Sequence, residues 1–235
     1  MAGKIMEVDE PTPYFAVGDG YAVYRGPTTD STYHRHAAFQ IAIGAQVSMV
    51  DAGGTVHRGP ALLVPPMVEH RILATTDLLT FYVEPHCVFA DRLRSRSGAG
   101  ITVVPELRGL REGDIPVRAS ERLDPRLVAA LDVVKQRGVG MSEVAAAVGL
   151  SPQRLRALAR AQVGMPLPRW RVWVGLRRAA EALRGGRSPA EAAVVAGFAD
   201  QAHLTRRMRE MLGLTPAAVL PVLRGEVPRG RVRRG

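Results

Sequence analysis

Two groups of side chains in this sequence have the types and spacing to do chemistry. The first lies in His34-Arg35-His36-Ala37-Ala38-Phe39-Gln40, where His34, His36 and Gln40 fall at even spacings and so on one face of a strand. Imidazoles and an amide on one face can hydrogen-bond a small molecule, and neutral imidazole is also a common metal ligand. The second group lies far downstream. Gln153, Arg154, Arg156 and Arg160, and then Gln201, His203, Thr205, Arg206 and Arg209, interleave with apolar residues at helical spacing, which turns them outward. Glutamine and arginine on an exposed helix face match the donors and acceptors of base edges in the DNA major groove.

The elements needed to present the second group are legible around it. Between Met141 and Leu155, Val144, Ala145 and Val148 form the apolar seam of one helix, and Gly149 supplies a turn. Ser151 then caps a second helix with Pro152 at its first position, and Leu155, Leu158 and Ala159 face inward. The layout recurs about 48 residues later. Ser188-Pro189-Ala190-Glu191 is a capping box, Ala192, Ala193 and Val195 follow, Gly197 turns, Phe198 plugs the core and Asp200 caps. Leu204, Met208 and Met211 point inward from that last helix.

Extending the helical period predicts helices over 142–148, 152–162, 167–184, 189–196, 201–212 and 216–223. One more precedes them, capped by Asp124, striped by Leu127, Leu131 and Val134 and stopped at Gly138. The first half reads differently. Short runs such as Phe39 to Ile43, Gln46 to Val50 and Ala61 to Val64, broken at Asp51 to Gly54 and Pro65-Pro66, predict a small antiparallel sandwich or barrel. A short helix fits 88–96, and 101–123 reads as an irregular connector with one strand.

Charge divides the chain the same way. Residues 119–235 carry 21 basic and 9 acidic side chains, net +12, against 11 and 13, net −2, in residues 1–118. A polyanion is the partner this implies for the second half. Arginine makes up 30 of the 32 basic residues, as in a GC-rich genome, so its placement says more than its identity. No apolar run approaches the roughly 18 residues that span a bilayer, and the first residues have no apolar signal core, so no membrane partner and a cytoplasmic location are expected. The single cysteine, Cys87, excludes an intramolecular disulfide and reads as a packed thiol.

The second half resembles the AraC/XylS (arabinose-regulator) family of bacterial transcription regulators. The resemblance rests on Ala196-Gly197-Phe198-Ala199-Asp200-Gln201-Ala202-His203-Leu204-Thr205-Arg206, on Leu212-Gly213-Leu214-Thr215-Pro216, and on Gly149-Leu150-Ser151-Pro152 closed by Gly164. It implies two helix-turn-helix units bridged by a long helix, with Gln153, Arg156, Arg160, Gln201, His203, Thr205 and Arg206 at DNA-facing positions. Ala157 and Ala159 depart from the Arg and Phe frequent there, which weakens the first unit as a reader. Gly175 stands where arginine is common and weakens the bridging helix by about 1 kcal/mol relative to alanine. Upstream, Gly59 to His70 resembles the second cupin signature, with Met67 for its usual glycine, and Gln40 stands where the first has a glutamate. That resemblance implies a barrel with His34, His36, Gln40 and His70 pointing inward to bind an effector. In metal-dependent cupins the matching residues hold Zn, Ni, Mn or Fe; otherwise no cofactor is implied.

The expected molecule is α+β with two domains: a cupin-like antiparallel β-barrel sensor over 1–100 and an all-α double helix-turn-helix over 124–223. A connector over 101–123 joins them and a disordered basic tail, 224–235, follows. The expected function is sequence-specific regulation of transcription in a bacterial cytoplasm, commanded by a small molecule or metal in the barrel. Expected partners are double-stranded promoter DNA, the effector, a second copy in a homodimer (through 88–96, by family analogy) and RNA polymerase. No catalytic residue is assigned and no enzyme is expected. The alternatives are a metal-dependent cupin enzyme of dioxygenase or isomerase type with an appended basic domain, or a non-specific nucleoid binder.

Overall fold

The strand that organises the first half is β3 (Phe39–Asp51), whose thirteen residues serve two different partners on one edge. Phe39 to Ile43 pairs with β6 (Thr75–Val83), whereas Met49 to Asp51 pairs with the short β5 (His70–Ile72). Its other edge pairs with β4 (Val56–Val64), and that register shifts between Ile43 and Val47. The bend falls at Gly44, where a Cβ would lie 2.9 Å from the Asp77 carbonyl oxygen, closer than any side chain tolerates. With β1 (Tyr14–Gly18), β2 (Tyr21–Thr28) and β7 (Thr102–Val103), the order is β1-β2-β6-β3-β4-β7, antiparallel throughout. The computed structural model describes residues 13–224 except 117 and 137, so the predicted tail beyond Arg224 and the first twelve residues lie outside the described residues.

The sheet does not close, since β1 and β7 at its ends do not pair, so the expected barrel is here an open sheet. Alternation assigns its faces. Phe39, Ile41, Ile43, Phe81, Val83 and Val23 pack on one side against helix α1 (Val88–Arg96), through Phe89, Ala90 and Leu93, and against connector residues Val104, Leu107, Leu110 and Ile115. The connector is thus a lid over that face, with 3₁₀ turns at Pro105–Leu107 and Glu112–Asp114. Gln40, Thr80, Tyr82, Ala22 and Tyr24 lie on the opposite face, which the second half covers instead.

That half is helical: α2 (Pro125–Val134), α3 (Met141–Ala147), α4 (Pro152–Val163), α5 (Leu167–Arg184), α6 (Pro189–Ala196), α7 (Gln201–Leu212) and α8 (Pro216–Leu223). The starts follow from caps, since Asp124, Ser151, Ser188, Asp200 and Thr215 each accept an amide N–H of the first turn. Three ends follow from Gly164, Gly197 and Gly213 at φ +72°, +86° and +67°. Helix α5 is the spine. Trp170 is fully buried and donates its Nε1–H to the Leu131 carbonyl of α2 at 3.1 Å, and Arg171 and Arg178 donate to the carbonyls of Val139 and Lys135 after α2. Among the described residues no helix is long and apolar enough to cross a membrane.

Gly175 gains a reason here. Its Cβ, if present, would lie 3.0 Å from Phe198 Cζ and 3.3 Å from the Ala196 carbonyl oxygen. The glycine lets the turn between α6 and α7 press directly on the spine. The two halves share apolar packing as well: Ala37 and Ala38 of the sheet half are fully buried within the helical core, with Phe15, Met67 and Tyr82 packed against it.

Candidate nucleic-acid interface and histidine pocket

In the first helix pair, α3 and α4, Leu155, Leu158 and Ala159 are buried while Gln153, Arg154, Arg156 and Arg160 are exposed. In the second, α6 and α7, Leu204, Met208 and Met211 are buried while Gln201, Arg206 and Arg209 are exposed. His203 and Thr205 are only half-exposed and are engaged locally. Thr205 donates its hydroxyl to the Gln201 carbonyl at 2.9 Å. The His203 ring lies 5.3 Å from Phe198, with the Ala199 amide 3.3 Å from Nδ1 and Arg207 Nε 3.3 Å from Nε2. A neutral imidazole accepts at one nitrogen at a time, so one of these two donors holds it. Of the predicted contact residues of α7, Gln201, Arg206 and Arg209 are therefore the exposed ones.

The structure brings the other predicted group together, on different elements from those expected. His34 and His36 precede β3 rather than lying on it, and His34 pairs with His70 of β5 as an isolated bridge, with both N–H···O bonds formed at 2.9 and 3.1 Å. Gln40, one residue into β3, reaches both other rings: its terminal group lies 3.1 Å from His36 Nε2 and 2.8 Å from His70 Nε2. Each Nδ1 meets a backbone carbonyl, that of Thr32 at 2.9 Å, Ala38 at 2.7 Å and Val68 at 3.0 Å. A carbonyl only accepts, so each ring carries its proton on Nδ1 and turns an Nε2 lone pair inward. One ligand atom from each of the three histidines lies within 4.8 Å of the others. All four residues are at most 3% exposed. Burial depresses all three histidine pKa values, that of His36 to about 3, so the rings are neutral. Met67, at the bend between β4 and β5, holds φ +65° and donates its N–H to the His36 carbonyl at 2.9 Å.

Beside this cluster lies a cavity of about 340 Å³ between the sheet and the helices. The sheet contributes His34, Gln40, Thr80 and Tyr82 as its polar end, with Ile72 and Leu78. Helices α5, α7 and α8 contribute an apolar wall, including Leu176, Leu183, Met208, Leu212 and Val222. The histidine segment also touches α7. Thr32 donates its N–H to the Gly213 carbonyl at 3.4 Å, and Arg35 donates to the Glu210 carbonyl at 3.1 Å, at the carboxy-terminal end of α7.

The family model described as "Helix-turn-helix domain" matches residues 144–220, from α3 into α8, with both outward-facing helices inside it. The chain carries an AraC-type helix-turn-helix domain. A domain of this kind is a DNA-binding one, and here a sheet domain precedes it. Among solved structures it is similar to ToxT from Vibrio cholerae, at 9% identity over 88% of this chain and 100% of that one, with a TM-score of 0.58. A ToxT structure with unsaturated fatty acid bound matches at 8% identity over 88% of this chain and 97% of that one, TM-score 0.58. An AraC-type transcriptional regulator from Chromobacterium violaceum matches at 22% identity over 40% and 87%, TM-score 0.38. No curated protein matches the sequence.

The seam between the AraC-type domain and the sheet holds residues that the sequence reading did not single out. Glu84, 1% exposed at the end of β6, takes hydrogen bonds from Trp173 Nε1 at 3.3 Å and from Arg177, both on the bridging helix. Arg177 also donates to the Gly18 carbonyl at 2.7 Å. The one available signal was a carboxylate directly after the apolar run of β6.

Proposed function

We propose that the chain is a one-component regulator in which a small apolar effector, seated in the cavity between sheet and helices, sets how the AraC-type domain sits on promoter DNA. The observation that carries this reading is the shared wall: the same cavity is lined by His34 and Gln40 of the sheet half and by Met208 and Leu212 of the second reader helix. A ligand there contacts both parts, so its affinity depends on their relative position, and by linkage DNA affinity depends on the ligand. ToxT, of the same fold, has been solved with an unsaturated fatty acid, which agrees in class with so apolar a wall. Base readout falls to Gln201, Arg206 and Arg209 of α7 and to Gln153, Arg154, Arg156 and Arg160 of α4, with His203 and Thr205 as positioning groups. The setting is the cytoplasm, with the chain acting as a homodimer on two half-sites and meeting RNA polymerase at the promoter; a footprint no longer than one half-site would count against the dimer.

The test begins with selection of bound DNA from a random library, with and without short-chain lipids. On the selected site Arg206→Ala should cost about 1–3 kcal/mol and leave binding to random DNA almost unchanged. Equal losses on both would overturn sequence readout. Ala180→Trp, which fills the cavity from α5, should abolish the response to lipid while preserving DNA affinity. A retained response would place the effector elsewhere.

A second reading, a divalent metal, is favoured by the three convergent Nε2 lone pairs. His34, His36 and His70 would hold Zn, Ni, Mn or Fe with the Gln40 carbonyl oxygen as a fourth ligand, and the Nδ1–H bonds to backbone carbonyls would fix the rings. Bound there, the ion would supply a fixed charge beside the end of α7. Stoichiometric metal in the purified chain, lost in His70→Ala, is the outcome this reading requires.

A further inference from the structure

Gln40 replaces a charge with two donors, and that changes what the histidine cluster asks of a ligand. With Nδ1 protonated on each ring, three acceptor lone pairs remain, on His34, His36 and His70. The Gln40 terminal group faces two of them, at 3.1 and 2.8 Å, and its other side faces the Thr80 and Tyr82 hydroxyls at 3.2 and 3.3 Å. An amide NH₂ carries two N–H groups. The amide oxygen is placed facing the rings and the NH₂ facing the hydroxyls, but an Nε2 lone pair cannot donate to oxygen; with the amide turned over, its NH₂ satisfies His36 and His70 while its oxygen accepts from Thr80 and Tyr82. Nothing is left for His34. Its Nε2 is buried and has no hydrogen-bond partner among the described residues, and the residue is 3% exposed and forms part of the cavity wall.

We infer that the cavity takes an uncharged molecule with an apolar body and a single hydroxyl-type donor, an alcohol or phenol, which donates to His34 Nε2. This rests on the effector reading proposed above. A buried acceptor left bare is costly, and a donor in the cavity repairs it. An anionic head group finds no such welcome. Among the described residues Arg177 is the sole charged residue in the cavity wall, and both its Nη groups are engaged, by Glu84 and by the Gly18 carbonyl. A carboxylate at the polar end would face a lone pair with no free cation, an arrangement that burial penalises heavily. The remaining hydroxyls are also partly spent: Tyr24 donates to the Pro27 carbonyl and Thr28 to the Thr29 carbonyl.

The experiment titrates the full chain at pH 8 with 1-octanol and with octanoate by calorimetry. It adds two-bond ¹⁵N correlation spectra of the histidine rings, which show directly which nitrogen bears the proton. Octanol should bind at least about tenfold more tightly than octanoate, the worth of one buried hydrogen bond without a buried charge. The His34 spectrum should show protonated Nδ1 throughout and an Nε2 resonance that shifts on octanol addition. In His34→Phe, which keeps a ring but removes the acceptor, the preference should fall to within about threefold. Because the spectra read the unmodified chain, the inference can be overturned even if that variant fails to fold. Equal binding of the two probes overturns the head-group inference alone. Binding of neither overturns the cavity as an effector site too. Stoichiometric metal, with Nε2 resonances that change on chelation, overturns the amide-wired cluster.

Discussion

Gly175 carries two opposing effects within one residue. In the middle of the eighteen-residue α5, alanine would improve helix propensity by about 1 kcal/mol. The same Cβ would stand 3.0 Å from Phe198 Cζ and 3.3 Å from a backbone carbonyl oxygen, and the carbonyl cannot step aside without moving α6. Overpacking of this kind costs about 1–3 kcal/mol, so the clash wins. Gly175→Ala should therefore destabilise the chain by roughly 1 kcal/mol in urea unfolding. Gly175→Ala combined with Phe198→Leu should lose less than the two single changes added together, because the shortened side chain frees the space the methyl needs. Additive losses would mean that the two sites do not compete for the same volume.

At the scale of elements, the end of α7 is where the reader meets the histidine segment. Gly213 caps the helix at φ +67°, and a Cβ there would fall 2.7 Å from both His34 Nδ1 and the Thr32 carbonyl oxygen. Gly213→Ala adds backbone strain to that clash and should cost about 2 kcal/mol or more, with the Thr32 and Arg35 bonds to α7 lost. DNA binding should then stop responding to a cavity ligand. A response of wild-type size would show that coupling runs by another route. The helices themselves were legible in the sequence because their signals are local: Ser188 with Glu191, Asp200 with His203 and Gly213 at the end fix α6 and α7 to within a residue. The members of the histidine set were legible from even spacing and, for His70, from the cupin resemblance, but His36 precedes β3 across a bend, so strand alternation is not what brings it to Gln40. The elements that carry them were not legible. Whether His34 joins β3 or bridges to His70, and whether the sheet closes, depend on which distant strands find each other, and no local spacing records that.

At the scale of the whole molecule, acid should loosen the protein through its buried histidines. An unfolded histidine protonates near pH 6.5, whereas native His36 stays neutral to about pH 3. Below pH 6.5 the unfolded state therefore binds the extra proton, and stability present at neutral pH is lost as pH falls through that window. In chelator, His36 alone should account for about 2–3 kcal/mol of the loss between pH 7 and pH 4.5, and His36→Asn should flatten the profile across that range. An unchanged profile in the variant would assign the loss to other groups.

The two halves are held to each other by a charge pair that neither half could keep alone. Glu84 is 1% exposed on the sheet, and the side chain of Arg177, 19% exposed on α5, is its cation, with Trp173 donating from the same helix. Inside its own half Glu84 also faces His86 Nε2 at 3.6 Å, but burial lowers that imidazole's pKa, so the permanent cation for Glu84 is Arg177, and their pairing ties the sheet to the AraC-type domain. Breaking a buried pair from one side typically costs 3–5 kcal/mol, because the remaining charge is stranded, whereas replacing both partners is far less damaging. Arg177→Met should therefore cost about 3 kcal/mol, the lower end reflecting its partial exposure. Arg177→Met with Glu84→Gln should recover most of that loss. Limited proteolysis of the connector gives the structural readout, with faster cleavage in Arg177→Met than in the double variant. A double variant no more stable than Arg177→Met would mean that the seam is held by its apolar contacts, Tyr82 against Trp173 among them, and that the charges add nothing to it.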